Sequence, residues 1–188
     1  MSTVKQTLKS IPGLVPLVRW MRGAPLVLPR ERILQKMPPQ SVGAEIGVHE
    51  GDFSERILNE VSPRRLHLID PWKHFGKSEY DRSWYGGSNV EQREMDRRFE
   101  RVKRRFRSQI ETGTVQLHRM TSEEAVDLFE DAYFDWVYID GNHLYEYVRD
   151  DLENYDPKVK PGGYSWATTT GMKGGGITGC RRPSTSLL

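Results

Sequence analysis

The chain is short of several things, and each shortage removes a class of protein. It has one cysteine, Cys180, in 188 residues, so no internal disulfide framework is open to it and a reducing, cytoplasmic setting is expected. It has no strong excess of one charge: 28 basic against 26 acidic residues leave a formal net charge of +2, which gives no electrostatic footprint for nucleic acid. It has no long apolar run. The stretch Ile11–Val18 is interrupted by Pro12 and Pro16 and ended by Arg19 and Arg22, too short and broken for a membrane span and without a convincing cleavage site. It also lacks an internal repeat, the Lys-Ser/Thr of a P-loop, and the three glycines of a G-x-G-x-x-G fingerprint.

What is present is a regular alternation of strand-like and helix-like segments. Ser41–Val48, Arg64–Asp70, Thr114–Met120 and Phe134–Asp140 read as strands. Between them, Asp52 with Glu55 and Thr121 with Glu124 have the spacing of capping boxes that open helices. Met95, Phe99, Val102 and Phe106 form one apolar stripe in a helix over 90–111, and Tyr145, Val148, Leu152 and Tyr155 form another that Pro157 stops. This order predicts an α/β fold, a Rossmann-like doubly wound and mostly parallel sheet with helices on both faces. Residues 1–40 are expected to form an N-terminal helical arm, packed on the domain or serving as a lid or dimer contact, and 41–164 the ligand-binding domain.

The informative residues fall at strand ends. Phe134–Ile139 is an apolar run ending in Asp140, followed at once by Gly141 and then His143. Glu45-Ile46-Gly47-Val48-His49-Glu50-Gly51 joins the first strand to the first helix, and its glycines allow a tight turn close to a ligand. The helix that follows aims free N–H groups at the same place, which suits a carboxylate or phosphate. Asp70 ends the second strand, where doubly wound folds place a carboxylate for ribose hydroxyls. Taken singly, Gly47 and Gly51 fit a plain tight turn and Asp70 a solvated strand end. Their joint spacing with Glu45 and Asp140 is much harder to obtain by chance.

With these residues on the page, the chain resembles the class I S-adenosylmethionine-dependent methyltransferases, and within them the macrocin-type sugar O-methyltransferase branch. The match is carried by GAEIGVHEGDFS (43–54), LHLIDPW (66–72), the turn Thr121-Ser122-Glu123-Glu124-Ala125, FDWVYIDGNHLYEYVRDDL (134–152) and KPGGY (160–164). The resemblance implies that Glu45, Gly47 and Gly51 line the methionine end of the cofactor, that Asp70 holds its ribose, and that Thr121 and Ser122 lie near its adenine. It implies Asp140 as a ligand of a divalent metal such as Mg2+ beside the acceptor oxygen, with His143 facing the acceptor. His49 stands where the wider class has its middle glycine. The implied partner is a small, sugar-like hydroxyl compound, with homo-oligomerisation possible. A bound metal would lower the hydroxyl's pKa and orient it, and the activated sulfonium needs in-line positioning above all.

The resemblance stops after Tyr164. The branch supplies two further metal carboxylates from a Gly-Asp-Asp-Tyr segment, whereas this chain continues SWATTTGMKGGGITGCRRPSTSLL. Reading codons one base out of frame permits Gly from Trp166-Ala167 and Asp, Asn, His or Tyr from the three threonines that follow. A slipped frame near Ser165 is therefore one reading and a divergent tail the other. Either way, 165–188 is expected to be a disordered tail, the C-terminal strands to be missing, strand five to be left as an edge, and the chain to be a weak or inactive version of its family.

Two further classes of function stay open on the residues: an oxidoreductase holding a nicotinamide dinucleotide through the same loop and Asp70, and a non-catalytic, truncated cofactor-binding module. The eight basic residues in 93–107 read as a solvated helix face. His67 and His118 read as packed or edge histidines. The long loop after Asp70, with Trp72, Trp84 and Tyr85, is an acceptor lid or simple loop packing in equal measure.

Overall fold

Six strands form one sheet in the order β3-β2-β1-β4-β5-β6, and all neighbours are parallel except the last pair. The computed structural model describes residues 30–75, 91–169 and 176–182. Within them the chain runs α1 (Arg30–Leu34), β1 (Val42–Ile46), α2 (Asp52–Val61), β2 (Arg65–Ile69), α3 (Gln92–Arg105), α4 (Arg107–Glu111), β3 (Val115–His118), α5 (Ser122–Val126), β4 (Phe134–Ile139), α6 (Tyr145–Tyr155), a short 3-10 turn, β5 (Val159–Thr169) and β6 (Gly176–Arg181). The α/β class and the mostly parallel sheet are as the alternation predicts.

Strand periodicity divides the core into two halves. Trp136 and Tyr138 of β4 face a cluster with Ile33, Leu34 and Met37 from α1 and its exit, Phe53, Ile57 and Val61 from α2, and Met95 and Val102 from α3. Val137 and Ile139 face the other side, with Ala125, Phe129, Val148 and Tyr155. Both faces of the central strands are covered, so β1 and β4 are apolar at nearly every position, as parallel strands require. Burying each large side chain contributes roughly 1.5–3 kcal/mol before entropy is charged.

Three expectations need correcting. Asp52 does not cap α2: the cap is Gly51 in a left-handed conformation at φ 83°, with no side-chain hydrogen bond. The carboxylate of Asp52 meets Arg105 instead, at 2.6 Å, which ties α3 to the start of α2. Tyr145 is 68% exposed and lies off the stripe made by Val148, Leu152 and Tyr155. The third is the described part of the expected disordered tail, 165–169 and 176–182; residues 170–175 and 183–188 lie outside the described residues. β5 continues through Thr169, and β6 pairs with it antiparallel from Tyr164↔Arg181 to Thr169↔Gly176. Strand five is thus not an edge, and a sixth strand exists where the C-terminal strands were expected to be missing. Gly179 permits this, because a Cβ there would stand 2.3 Å from the Trp166 ring.

The described part of the N-terminal segment packs on the domain. Residues 1–29 lie outside the described residues, but Ile33, Leu34 and Met37 are buried in the main core.

Candidate cofactor and acceptor site

The strand order reverses between β1 and β4, and doubly wound folds bind ligands in the crevice at that switch, beyond the strands' C-terminal ends. Register brings the expected residues there. Ile46 pairs with both Ile69 and Ile139. Gly47 N–H donates to the Ile69 carbonyl at 2.9 Å, and Asp140 N–H to the Ile46 carbonyl at 2.7 Å. Gly47 has φ +88°, and a Cβ on it would lie 2.5 Å from the Asp140 carbonyl oxygen. Only glycine satisfies both the left-handed backbone and that approach.

The β1–α2 loop is held from beneath. Asp70 is fully buried. One of its oxygens accepts from the N–H groups of Val48 (2.9 Å) and His49 (3.0 Å), and the other from Trp72 N–H (2.8 Å). These three bonds tie Asp70 to the backbone of the β1–α2 loop and of the turn that follows β2. His49, in the place of the class's middle glycine, has φ 56°. Its left-handed backbone is stabilised by the Asp70 bond and by Trp72 Nε1–H, which donates to the His49 carbonyl at 2.9 Å. Trp72 is buried and is packing rather than lid; Trp84 and Tyr85 lie outside the described residues. Glu45 points inward beneath the loop, 1% exposed, and accepts from the Ser54 hydroxyl at 2.5 Å. Burial pushes its pKa up to about 8, against the opposing pull of the Ser54 hydrogen bond.

The β4–α6 loop contrasts with this. Asp140, with an 11% exposed side chain, pairs with Arg30 at 2.6 Å. Asn142 Oδ1 accepts from Leu144 N–H at 3.0 Å. Asn142 Nδ2 and His143 Nδ1 are buried atoms with no hydrogen-bond partner. Such atoms carry a desolvation cost that a ligand would relieve.

Thr121 and Ser122 follow β3 at the same edge of the sheet. Thr121 caps α5 in a complete capping box with Glu124, as the spacing predicts. Ser122 hydrogen-bonds Asp151 of α6, whose carboxyl is pushed up to about 6 mainly by burial, and its carbonyl accepts from the Tyr155 hydroxyl at 3.0 Å. Sequence reasoning did not foresee two features. Arg30 reaches Asp140 from a segment with no motif. Buried His67 and half-buried His118 and Tyr133 form a chain, with His67 Nδ1 2.9 Å from His118 Nε2 and His67 Nε2 3.2 Å from the Tyr133 hydroxyl. Burial, followed by the neighbouring His118 and Arg65, pushes His67 down to about 3.

The fit to the two implied groups differs. For a divalent metal the residues do not fit: Asp140 is already paired with a guanidinium, and no group of three or more His, Cys, Asp or Glu that could hold an ion occurs among the described residues. For S-adenosylmethionine they do. The first turn of α2 has no side-chain cap, leaving its N–H groups to a carboxylate. The unpartnered nitrogens of Asn142 and His143 lie in the adjoining loop. No helix among the described residues is long and apolar enough to cross a membrane.

Comparisons with known proteins agree with this geometry. A family model described as a methyltransferase domain matches residues 44–165. A solved structure of a provisionally named methylase from Haemophilus influenzae has a TM-score of 0.52 at 9% identity, covering 76% of each chain. A provisionally named caffeoyl-CoA O-methyltransferase from Staphylococcus aureus has a TM-score of 0.51 at 15% identity, covering 87% of this chain and 68% of the other. At such identities the likeness concerns the fold alone. An uncharacterized protein of Sinorhizobium fredii is 44% identical over 46 residues, and the chain spans only 5% of its length. The family model spans well over half of the chain, and its residues are those that build the switch-point crevice: the chain belongs to the methyltransferase-domain family and has the fold of its S-adenosylmethionine-dependent members.

Proposed function

We propose that this chain transfers a methyl group from S-adenosylmethionine to a hydroxyl of a small metabolite, with a sugar-like acceptor as the finer reading that the resemblance to the macrocin-type branch supplies. The observation that carries the proposal is the apposition of Gly47 and Asp140 at the switch point, beside two unpartnered nitrogens. The cofactor supplies an already activated methyl group, so the protein's work is positioning.

Gly47 and Gly51 shape the loop at the methionine end, and the uncapped first turn of α2 receives the carboxylate. Glu45 supports the loop from below through Ser54. Asp70 serves the ribose side by fixing the backbone that faces it. Thr121 and Ser122 set the loop on the adenine side. On the acceptor side Asp140 orients the hydroxyl. As the acceptor oxygen bonds to the methyl carbon and the carbon–sulfur bond breaks, His143 takes the hydroxyl proton at Nδ1. No step is routed through a metal.

The nicotinamide alternative is not favoured, because the loop has two glycines four apart and the family match is to methyltransferases. Calorimetric titration with S-adenosylhomocysteine and, separately, with NAD tests the proposal. Stoichiometric binding of the first supports it; binding of NAD alone refutes it. Tritiated-methyl transfer to a panel of sugars and phenols then tests the acceptor class.

A further inference from the structure

Arg30 precedes the core-anchored part of α1, with Ile33, Leu34 and Met37 all buried just beyond it. This anchoring delivers its guanidinium to the functional edge of the sheet. There it meets Asp140 Oδ2 at 2.6 Å. Its Cζ lies over the Phe53 ring, 4.2 Å from the centroid, and 5.6 Å from that of Tyr138. Both rings are buried, Phe53 on α2 and Tyr138 on β4. The contact therefore joins three elements: the segment before β1, the helix that begins the cofactor loop, and the strand that ends in the acceptor-side carboxylate. Cation–π stacking and a charge-assisted hydrogen bond together specify the place and the tilt of a guanidinium more closely than a lysine's point charge could be specified.

Asp140 needs such a partner. Its side chain is nearly buried, and the carboxylates of Glu45 and Asp70 belong to the same electrostatic neighbourhood at the ends of β1 and β2. Glu45 holds a proton, its pKa pushed up to about 8 mainly by burial, whereas Asp140 is paired with a cation. A divalent ion would be an alternative cation, but the described residues offer no set of three ligands.

We propose that Arg30 is a positioning residue, the built-in cation of the acceptor-side carboxylate, occupying at Asp140 the place a divalent ion would take and making the site independent of metal. Its effect reaches the cofactor loop through the backbone, because the Asp140 carbonyl is packed on the Cα of Gly47. A carboxylate released from Arg30 would seek water and draw the Asp140 loop away from that contact. The N-terminal segment is thus part of the site rather than an accessory arm. The guanidinium side chain is also 43% exposed, so N–H groups not used on Asp140 are within reach of an oxyanion on a bound acceptor.

This inference rests on the methyl-transfer reading, and its test is made on protein shown to bind S-adenosylhomocysteine, so failure of that reading would be seen first and separately. The first measurement needs no variant: Mn2+ titration of the wild-type chain followed by electron paramagnetic resonance, with and without S-adenosylhomocysteine. The expected result is no stoichiometric Mn2+ binding and an unchanged S-adenosylhomocysteine affinity after exhaustive chelation. One bound Mn2+ per chain, lost in Asp140→Asn, would overturn the proposal. The second is a double-mutant cycle read by calorimetry. Arg30→Gln should weaken S-adenosylhomocysteine binding by about tenfold, as expected for leaving the mostly buried Asp140 carboxylate without its half-exposed partner. Arg30→Lys, which keeps the charge but not the stacked plane, should recover part of that loss, and Asp140→Asn should add little on top of Arg30→Gln. Full additivity of Arg30→Gln and Asp140→Asn, or a Lys variant no better than Gln, would contradict it. If Arg30→Gln does not fold, the Mn2+ measurement decides alone.

Discussion

The two loops that meet at the switch point are built on opposite principles. In the β1–α2 loop the backbone N–H groups of Val48 and His49 are bonded to Asp70, the His49 carbonyl is bonded to Trp72, and Glu45 is tied to Ser54. In the β4–α6 loop Asn142 Nδ2 and His143 Nδ1 are buried without partners. The first loop has its backbone fixed before any ligand arrives; the second leaves two side-chain nitrogens open. A cofactor shared by a whole class suits a rigid cradle, whereas an acceptor that differs between members suits polar groups left open.

Breaking the finished loop should have the largest effect. Gly47→Ala forces a Cβ to 2.5 Å from the Asp140 carbonyl at φ +88°, and a destabilisation of about 3 kcal/mol is expected from the strained backbone and the clash together. Urea unfolding would measure it, and calorimetry should show S-adenosylhomocysteine binding abolished in whatever fraction stays folded. Asp70→Asn comes next. Exchanging an acceptor-only carboxylate for an amide leaves N–H groups of the loop without a partner, at a cost of about 2 kcal/mol. The same two assays apply, and unchanged unfolding would show that the loop does not depend on Asp70.

The pH dependence sharpens the contrast between the site and buried His67 on the other core half. His67 has its pKa pushed down to about 3 from 6.5. The native protein refuses a proton that the unfolded chain accepts. Its stabilisation is complete above pH 6.5 and is lost as pH falls toward 3, at up to about 1.4 kcal/mol per pH unit. Glu45 has the opposite sign. Its pKa rises from 4.5 to about 8, so its contribution is complete below pH 4.5 and is lost as pH climbs through 8. Between 4.5 and 6.5 the two slopes oppose each other, and the contribution of the pair is greatest there. Unfolding midpoints measured across this range should fall on both sides, and Glu45→Gln should flatten only the alkaline limb.

The smallest expected effect on stability belongs to the open loop. His143→Ala should change unfolding by no more than about 0.5 kcal/mol, since its unpartnered nitrogen contributes no bond in the free protein, and Asn142→Ala by about 1 kcal/mol, because it also removes the bond from Leu144 N–H to Asn142 Oδ1. Both should still depress methyl transfer, His143→Ala more strongly. A large stability loss in either would mean that this loop is as finished as its neighbour.

Much of the fold was legible because buried parallel strands are short apolar runs and the helices carry clear stripes. Val42–Ile46 and Phe134–Ile139 could hardly be read otherwise. The capping box at Thr121 was legible for a local reason: both partners lie within one turn. The Asp52 box has the same spacing but fails, because Gly51 enters the helix left-handed and Arg105 attracts the carboxylate. β6 escaped sequence reasoning because it has no apolar alternation; backbone pairing with β5 and the Gly179–Trp166 approach hold it. The position of Asp70 was readable but its inward engagement was not, since that depends on Trp72 turning its N–H back at φ 39°. Arg30 carries no pattern. Its place follows only from the burial of Ile33, Leu34 and Met37 beside it.

The account's central claim is that the edge formed by residues 47–53, 70–72 and 140–143 is one ligand site. Amide hydrogen exchange read by mass spectrometry, with and without S-adenosylhomocysteine, tests this most directly. Added protection in those three segments, with none along β6, is the predicted result. Binding that leaves all three unprotected, or that protects a different face of the sheet, would contradict it.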